Sequence, residues 1–186
     1  MKKLFLILFS IILLSGISKA QTITNDDFEV WDSTAFDDLN LPWMTSNSQT
    51  IAQYGLATIT KVPGTTGSAA HLQTYLKGRD TVISEIGLIY VPYNQAPTAI
   101  TGYYRCNIIG QDTGWLALEF QQAGVPVGFD TIAFTGSQST FTSFYHKISL
   151  SGTPDTMLVA ATSSNLVNNV GIKPGSWLEL DELVFT

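Results

Sequence analysis

Gly175-Ser-Trp-Leu-Glu-Leu-Asp-Glu-Leu-Val-Phe185 is the stretch that decides the fold. A turn glycine precedes apolar residues spaced mostly in twos, Leu178, Leu180, Leu183 and Phe185, with Asp181-Glu182 set inside the run. Period two is the mark of a strand with one face on a core. The stretch therefore reads as the closing strand of a β-sandwich. Its counterpart near the start is Asp26-Asp27-Phe28-Glu29-Val30-Trp31. Strands that open and close a sandwich often lie side by side, so these two acidic motifs are candidates for one shared site.

Working inward, candidate strands fall at 28–31, 57–61, 69–76, 83–91, 98–109, 115–122, 127–134, 141–150, 156–163 and 177–185. Turn signals divide them, among them Pro63-Gly64, Gly78-Arg79-Asp80, Gly124 to Pro126 and Pro174-Gly175. No stretch keeps the i, i+3, i+4, i+7 pattern over a helix's length. So many short strands at this spacing imply a sandwich or a barrel. The stretch 32–50 reads as irregular, with Trp43 and Met44 plugging one end of the core. Trp31 and Trp177 read as core or end plugs too.

The first twenty residues have a different character. Met1-Lys2-Lys3 is a basic head, 4–14 is apolar apart from Ser10, and Ser18-Lys19-Ala20 has the small-x-small form of a signal-peptidase site. The expectation is a signal peptide over 1–20, one domain over 21–186, and a secreted or cell-surface protein with no membrane span after cleavage. Removing Lys2, Lys3 and Lys19 leaves six basic against 15 acidic residues, a net charge near −9. That balance excludes nucleic acid and anionic membranes as natural partners. Cys106 is the one cysteine, so no intramolecular disulfide forms, and its alternation with Ile100, Tyr104 and Ile108 marks it as a small buried hydrophobe.

Several motifs then fall in one order: Phe28-Glu29-x-Trp31, Pro42-Trp43, Thr66-Gly67-Ser68-Ala69-Ala70-His71-Leu72, Gly102-Tyr103-Tyr104-Arg105, Thr153-Pro154-Asp155 and Gly175-Ser176-x-Leu178-x-Leu180-Asp181-Glu182-Leu183. That order resembles the secreted bacterial modules named "putative carbohydrate metabolism domain", which are similar to galactose-binding-like carbohydrate-binding modules. The resemblance spans nearly all of the mature chain. It implies an all-β jelly-roll sandwich of two antiparallel sheets that binds a glycan or polysaccharide. It also implies a structural calcium held by Glu29, Asp181 and the main chain of Gly67-Ser68. The closing pair here is Asp-Glu where the family more often has Asp-Asp, so no metal role carries over to Glu182. Independently of family, Asp181 lies between Leu180 and Leu183, where an unpaired buried carboxylate is costly and a cation would relieve it. The competing reading is a β-bulge at Asp181-Glu182, which accounts for the change of phase from Leu180 to Leu183.

For a ligand surface, two strands each combine an apolar face with an aromatic and polar one. On 98–109 the outward set is Tyr103, Arg105 and Asn107; on 115–122 it is Trp115, Glu119 and Gln121. Paired as a hairpin, these strands would place a flat aromatic platform beside hydrogen-bonding groups, which suits a sugar. An Arg105–Glu119 ion pair on an ordinary solvent face is the plainer alternative. His71, Gln73, Tyr75, Tyr145 and Lys147 alternate in the same way and would widen the face.

Nucleophile-elbow, Walker, dinucleotide and zinc-protease motifs are all missing. Glu179-Leu-Asp181 echoes a one-strand glycosidase pattern, Glu-x-Asp-x-x-Glu, but Val184 stands where the second glutamate belongs. The reading is thus a non-catalytic glycan-binding module. Its rivals are a cell-surface structural or adhesion protein that binds another protein, with a cell-surface protein as one candidate partner, and, behind that, a polysaccharide lyase or glycoside hydrolase on the same scaffold.

Overall fold

The computed structural model describes residues 22–166 and 171–186. The proposed signal peptide lies outside them. Among the described residues no helix is long and apolar enough to cross a membrane.

The elements run β1 (Trp31–Asp32), β2 (Asp38–Leu39), β3 (Met44–Thr45), α1 (Asn47–Tyr54), β4 (Ile59–Pro63), β5 (Ser68–Gln73), β6 (Tyr75–Lys77), β7 (Asp80–Val82), β8 (Glu85–Pro92), β9 (Ala99–Asn107), β10 (Gly114–Gln122), β11 (Val125–Phe134), β12 (Ser137–Lys147), β13 (Thr156–Thr162) and β14 (Trp177–Phe185). Two five-stranded antiparallel sheets form the sandwich. Sheet I has the order β12-β9-β14-β5-β4, and sheet II the order β11-β10-β13-β8-β3. The closing strand β14 sits at the centre of sheet I, between β9 and β5.

Period-two burial explains why these strands form. Leu116, Leu118 and Phe120 of β10 meet Met157, Val159 and Ala161 of β13 on the inner face of sheet II. Cys106, Leu72, Leu178 and Leu180 answer them from sheet I, all fully buried. Cys106 faces inward as its neighbours predict. Trp43 plugs one end of the core, its indole Nε1 donating to the Thr24 carbonyl at 2.8 Å while its ring lies 5.2 Å from that of Phe28.

Three sequence expectations are corrected here. Met44 is exposed, so it is not a plug. The stretch 32–50 is partly ordered into β1–β3 and the start of α1, a helix whose buried residues, Asn47 and Thr50, are polar and leave no hydrophobic period to read. Phe28 is fully buried but has φ 51°, so the chain turns there and the opening strand begins only at Trp31.

The fourth correction bears on function. β9 and β10 do not form a hairpin: β9 belongs to sheet I and β10 to sheet II. Asp112 anchors the connection that carries the chain from one sheet to the other. Its buried carboxylate accepts from Thr113 N at 2.8 Å, Ser164 Oγ at 2.6 Å, Lys173 N at 2.9 Å and Asn165 N at 3.1 Å.

Candidate functional site

Separation of β9 from β10 divides the predicted ligand set between opposite faces of the sandwich. Tyr103, Arg105 and Asn107 point outward from sheet I; Trp115, Glu119 and Gln121 point outward from sheet II. The Arg105–Glu119 pair therefore does not form.

On sheet I the register sets Glu179 between Arg105 and His71, and Trp177 between Asn107 and Gln73. Glu179 is buried and shared: one carboxylate oxygen accepts from the Arg105 guanidinium, and the other lies 2.8 Å from His71 Nδ1. His71 Nε2 lies 3.2 Å from the Gln73 amide oxygen, and the His71 ring is 5.6 Å from that of Trp177. Arg105 Cζ lies 4.8 Å from the centre of the Phe141 ring. His71, Gln73 and Tyr145 do widen the face of Tyr103 and Arg105, as their alternation predicts, whereas Tyr75 lies on the separate β6–β7 ribbon. A hollow of about 360 Å³ between Tyr103, Ser143, Tyr145 and Glu182 flanks this network. The side chains of Glu179, Arg105, His71 and Gln73 are thus spent on one another. A buried carboxylate needs such partners, and its pairing is not by itself evidence of a site.

The outer face of sheet II has a different make-up. Gln121 Nε2 donates to Glu119 Oε1 at 2.7 Å, leaving the other Glu119 oxygen free of protein hydrogen bonds among the described residues. Glu119 pairs in register with Phe129, which is 68% exposed. Met44 and Ile89 are exposed nearby, and the Trp115 indole Nε1 is a buried donor with no partner. Burial raises the carboxyl pKa of Glu85 on this face. Phe129, Ile89 and Met44 were missed in the sequence, although Phe129 and Ile89 alternate with inward residues much as Trp115 does.

The acidic motifs do meet. Glu29 Oε1 accepts from Ser68 N at 2.7 Å, and Asp181 Oδ2 accepts from Thr65 N at 2.7 Å and Thr65 Oγ1 at 2.6 Å. Both carboxylates therefore close on the 64–68 turn between β4 and β5. Its glycines are required there: a Cβ on Gly64 would fall 2.5 Å from Asp181 Oδ2, and one on Gly67 would collide with Glu29 Oε1. The bulge is present as well, since pairing with β9 shifts between Asp181 and Val184 and Glu182 has φ 48°. Asp181 is fully buried, and its Oδ1 has no hydrogen-bond partner. Burial raises its pKa, hydrogen bonds from Thr65 oppose that rise, and the charge of Glu182 adds to it. Among the described residues no three acidic, histidine or cysteine side chains cluster as a metal site, so any cation at this turn depends on main-chain oxygens as well.

No protein-family model and no curated protein sequence matches the chain. Solved structures do. A putative glycoside hydrolase of Bacteroides thetaiotaomicron VPI-5482 superposes with a TM-score of 0.69 at 13% identity, over 86% of this chain and 70% of that one. A second putative glycoside hydrolase, from Bacteroides vulgatus ATCC 8482, gives 0.62 at 14% identity, over 91% and 95%. A carbohydrate-binding module specific for non-crystalline cellulose gives 0.51 at 12%, over 90% and 95%. The fold is a jelly-roll β-sandwich, shared with putative glycoside hydrolases and a carbohydrate-binding module alike. At these identities the likeness is one of fold.

Proposed function

We propose that this chain is an exported, non-catalytic glycan-binding protein and that it takes its ligand on the outer face of sheet II. The observation that carries this reading is the set on that face: Trp115 and the exposed Phe129 beside the Glu119–Gln121 pair, with acceptor capacity to spare. Sugars bind where a ring can stack on a C–H face while hydroxyls find polar partners. On sheet I, by contrast, the charged and amide groups Glu179, Arg105, His71 and Gln73 are already paired with one another. Against the one-strand glycosidase pattern stands the engagement of Glu179 with Arg105 and His71, and of Asp181 with Thr65. Retention of the mature protein on a glycan array, with no release of reducing sugar or unsaturated product from the retained glycan, is the expected result. Turnover would move the lyase or hydrolase reading ahead; retention of no glycan, together with capture of a cell-surface protein, would favour the adhesion reading.

We also propose a structural calcium at the 64–68 turn. The support is the orphaned Asp181 Oδ1, buried beside a turn that also holds Glu29 and the Ser68 carbonyl. Bound calcium would neutralise the buried carboxylate and tie the opening segment to the closing strand.

A further inference from the structure

The outer face of sheet I holds a second feature that the Glu179 network leaves untouched. Tyr103 of β9 faces Ser143 of β12, and Thr101 faces Tyr145, so the two tyrosines are diagonal neighbours on one side of this strand pair. With Glu182 and Val184 of β14 these residues line the hollow of about 360 Å³. Tyr145 is 70% exposed. Glu182 reaches the hollow from the bulge in β14, where its φ of 48° is a left-handed conformation uncommon outside glycine. Thr65 Oγ1 and Thr66 Oγ1 donate to its Oε1 at 3.0 and 3.1 Å, which leaves Oε2 without a protein hydrogen bond among the described residues.

No basic group answers this carboxylate. Among the described residues Asp26, Asp27 and Glu182 form no ion pair; Arg105, next but one to Tyr103, is held by Glu179, and Lys147, next but one to Tyr145, pairs with no carboxylate. Asp26 lies close by. Its carbonyl accepts from Leu183 N at 2.9 Å, and burial pushes its carboxyl pKa up while the charges of Asp27 and Glu182 add to the rise. Calcium at the 64–68 turn would neutralise Asp181 and Glu29 and leave Glu182 unpaired. The face of an aromatic ring is itself negative, so two phenol rings beside a free carboxylate oxygen make one chemical demand, a cation. We propose that this hollow binds an organic cation, the ammonium head of an alkylamine or of a lysine side chain. Its N–H groups donate to Glu182 Oε2 and Ser143 Oγ, and its charge lies against the rings of Tyr103 and Tyr145. The site stands apart from the glycan face on sheet II, and neither depends on the other.

The test follows the backbone amide signals of the isotope-labelled mature protein by NMR, in chelator, with n-butylammonium as the probe and n-butanol as its neutral match. Butylammonium should shift the signals of 101–103, 143–145 and 182–184 saturably, butanol should not, and added salt should weaken the effect. Glu182→Gln, which keeps an oxygen for Thr65 and Thr66, should weaken binding about tenfold. Tyr145→Ala should weaken it about threefold, and Tyr145→Phe, which keeps the ring, should bind as the parent does. Repeating the titration in millimolar calcium separates the hollow from the 64–68 turn: shifts that persist belong to the hollow, and shifts abolished by calcium would place the cation in the turn and overturn the proposal. A capped Gly-Gly-Lys-Gly-Gly peptide is the second probe. Tighter binding than butylammonium makes a basic protein segment the source of the cation, and equal binding makes it a free amine. Equal shifts with butanol, no saturable shift with either cation, or unchanged binding by folded Glu182→Gln would overturn the proposal. The comparison with butanol needs only the parent protein, so misfolding of a variant cannot obscure the answer.

Discussion

Asp181 concentrates the chemistry of the acidic corner in one side chain. A carboxyl whose folded pKa is raised binds its proton more tightly in the native state than in the unfolded one. It therefore lowers stability at pH above its folded value, and that cost disappears as pH falls through the folded value toward the unfolded one. In the presence of chelator at neutral pH, Asp181→Asn should accordingly melt higher than the parent, with about 2–4 °C expected per kcal/mol recovered. The gap should close under acid conditions. Millimolar calcium should raise the parent and leave the variant unchanged; a parent indifferent to both calcium and chelator would remove the metal from the account. Cys106 supplies a simpler check. Buried, with its thiol pKa pushed up by that burial, it should react with a thiol reagent only after denaturation, and fast labelling of native protein would contradict the face assignment of β9.

At the scale of elements, the connection between β9 and β10 matters most. Burial pushes the Asp112 carboxyl up, but the hydrogen bonds from Ser164, Lys173, Asn165 and Ser176 together bring it below the ordinary carboxylate range. Its stabilising effect is thus present above the unfolded pKa and is lost as pH falls through the lowered folded value. Asp112→Ala strands several buried donors and should cost about 2–4 kcal/mol, measured by urea unfolding at neutral pH. The difference from the parent should shrink in strong acid; a variant as stable as the parent would show that the connection is not anchored there. The strands themselves were legible because burial follows period two in β10 and β13 almost without exception. Which sheet each strand joins was not. Alternation reports that a residue faces outward and says nothing about which of two outward faces it lies on. The crossing from sheet I to sheet II is held by Asp112, whose partners Ser164 and Lys173 are more than fifty residues away. Helix α1 was illegible for a related reason. Asn47 holds it in place by accepting from Thr58 N and Ile59 N and donating to the Ile59 carbonyl, polar contacts with no hydrophobic period. That the two acidic motifs come to one corner was readable from their places at the two ends of the sandwich, whereas Glu29, Asp181 and the 64–68 turn as the parts concerned came from the family resemblance.

The whole molecule is a sandwich with two unlike outer faces. Sheet I carries a self-satisfied ion network around Glu179, and sheet II carries exposed apolar groups and two glutamates. The six predicted ligand residues therefore separate into three that remain on the proposed face and three that lie behind it. Parallel calorimetric titration of Trp115→Ala and Arg105→Ala with the retained glycan tests this division most directly. Loss of stacking at Trp115 should weaken binding by on the order of 1 kcal/mol or more, whereas Arg105→Ala should bind as the parent does and lose only stability, because Glu179 then keeps His71 alone. Weakened binding by Arg105→Ala with normal binding by a folded Trp115→Ala would place the ligand on sheet I and contradict the account.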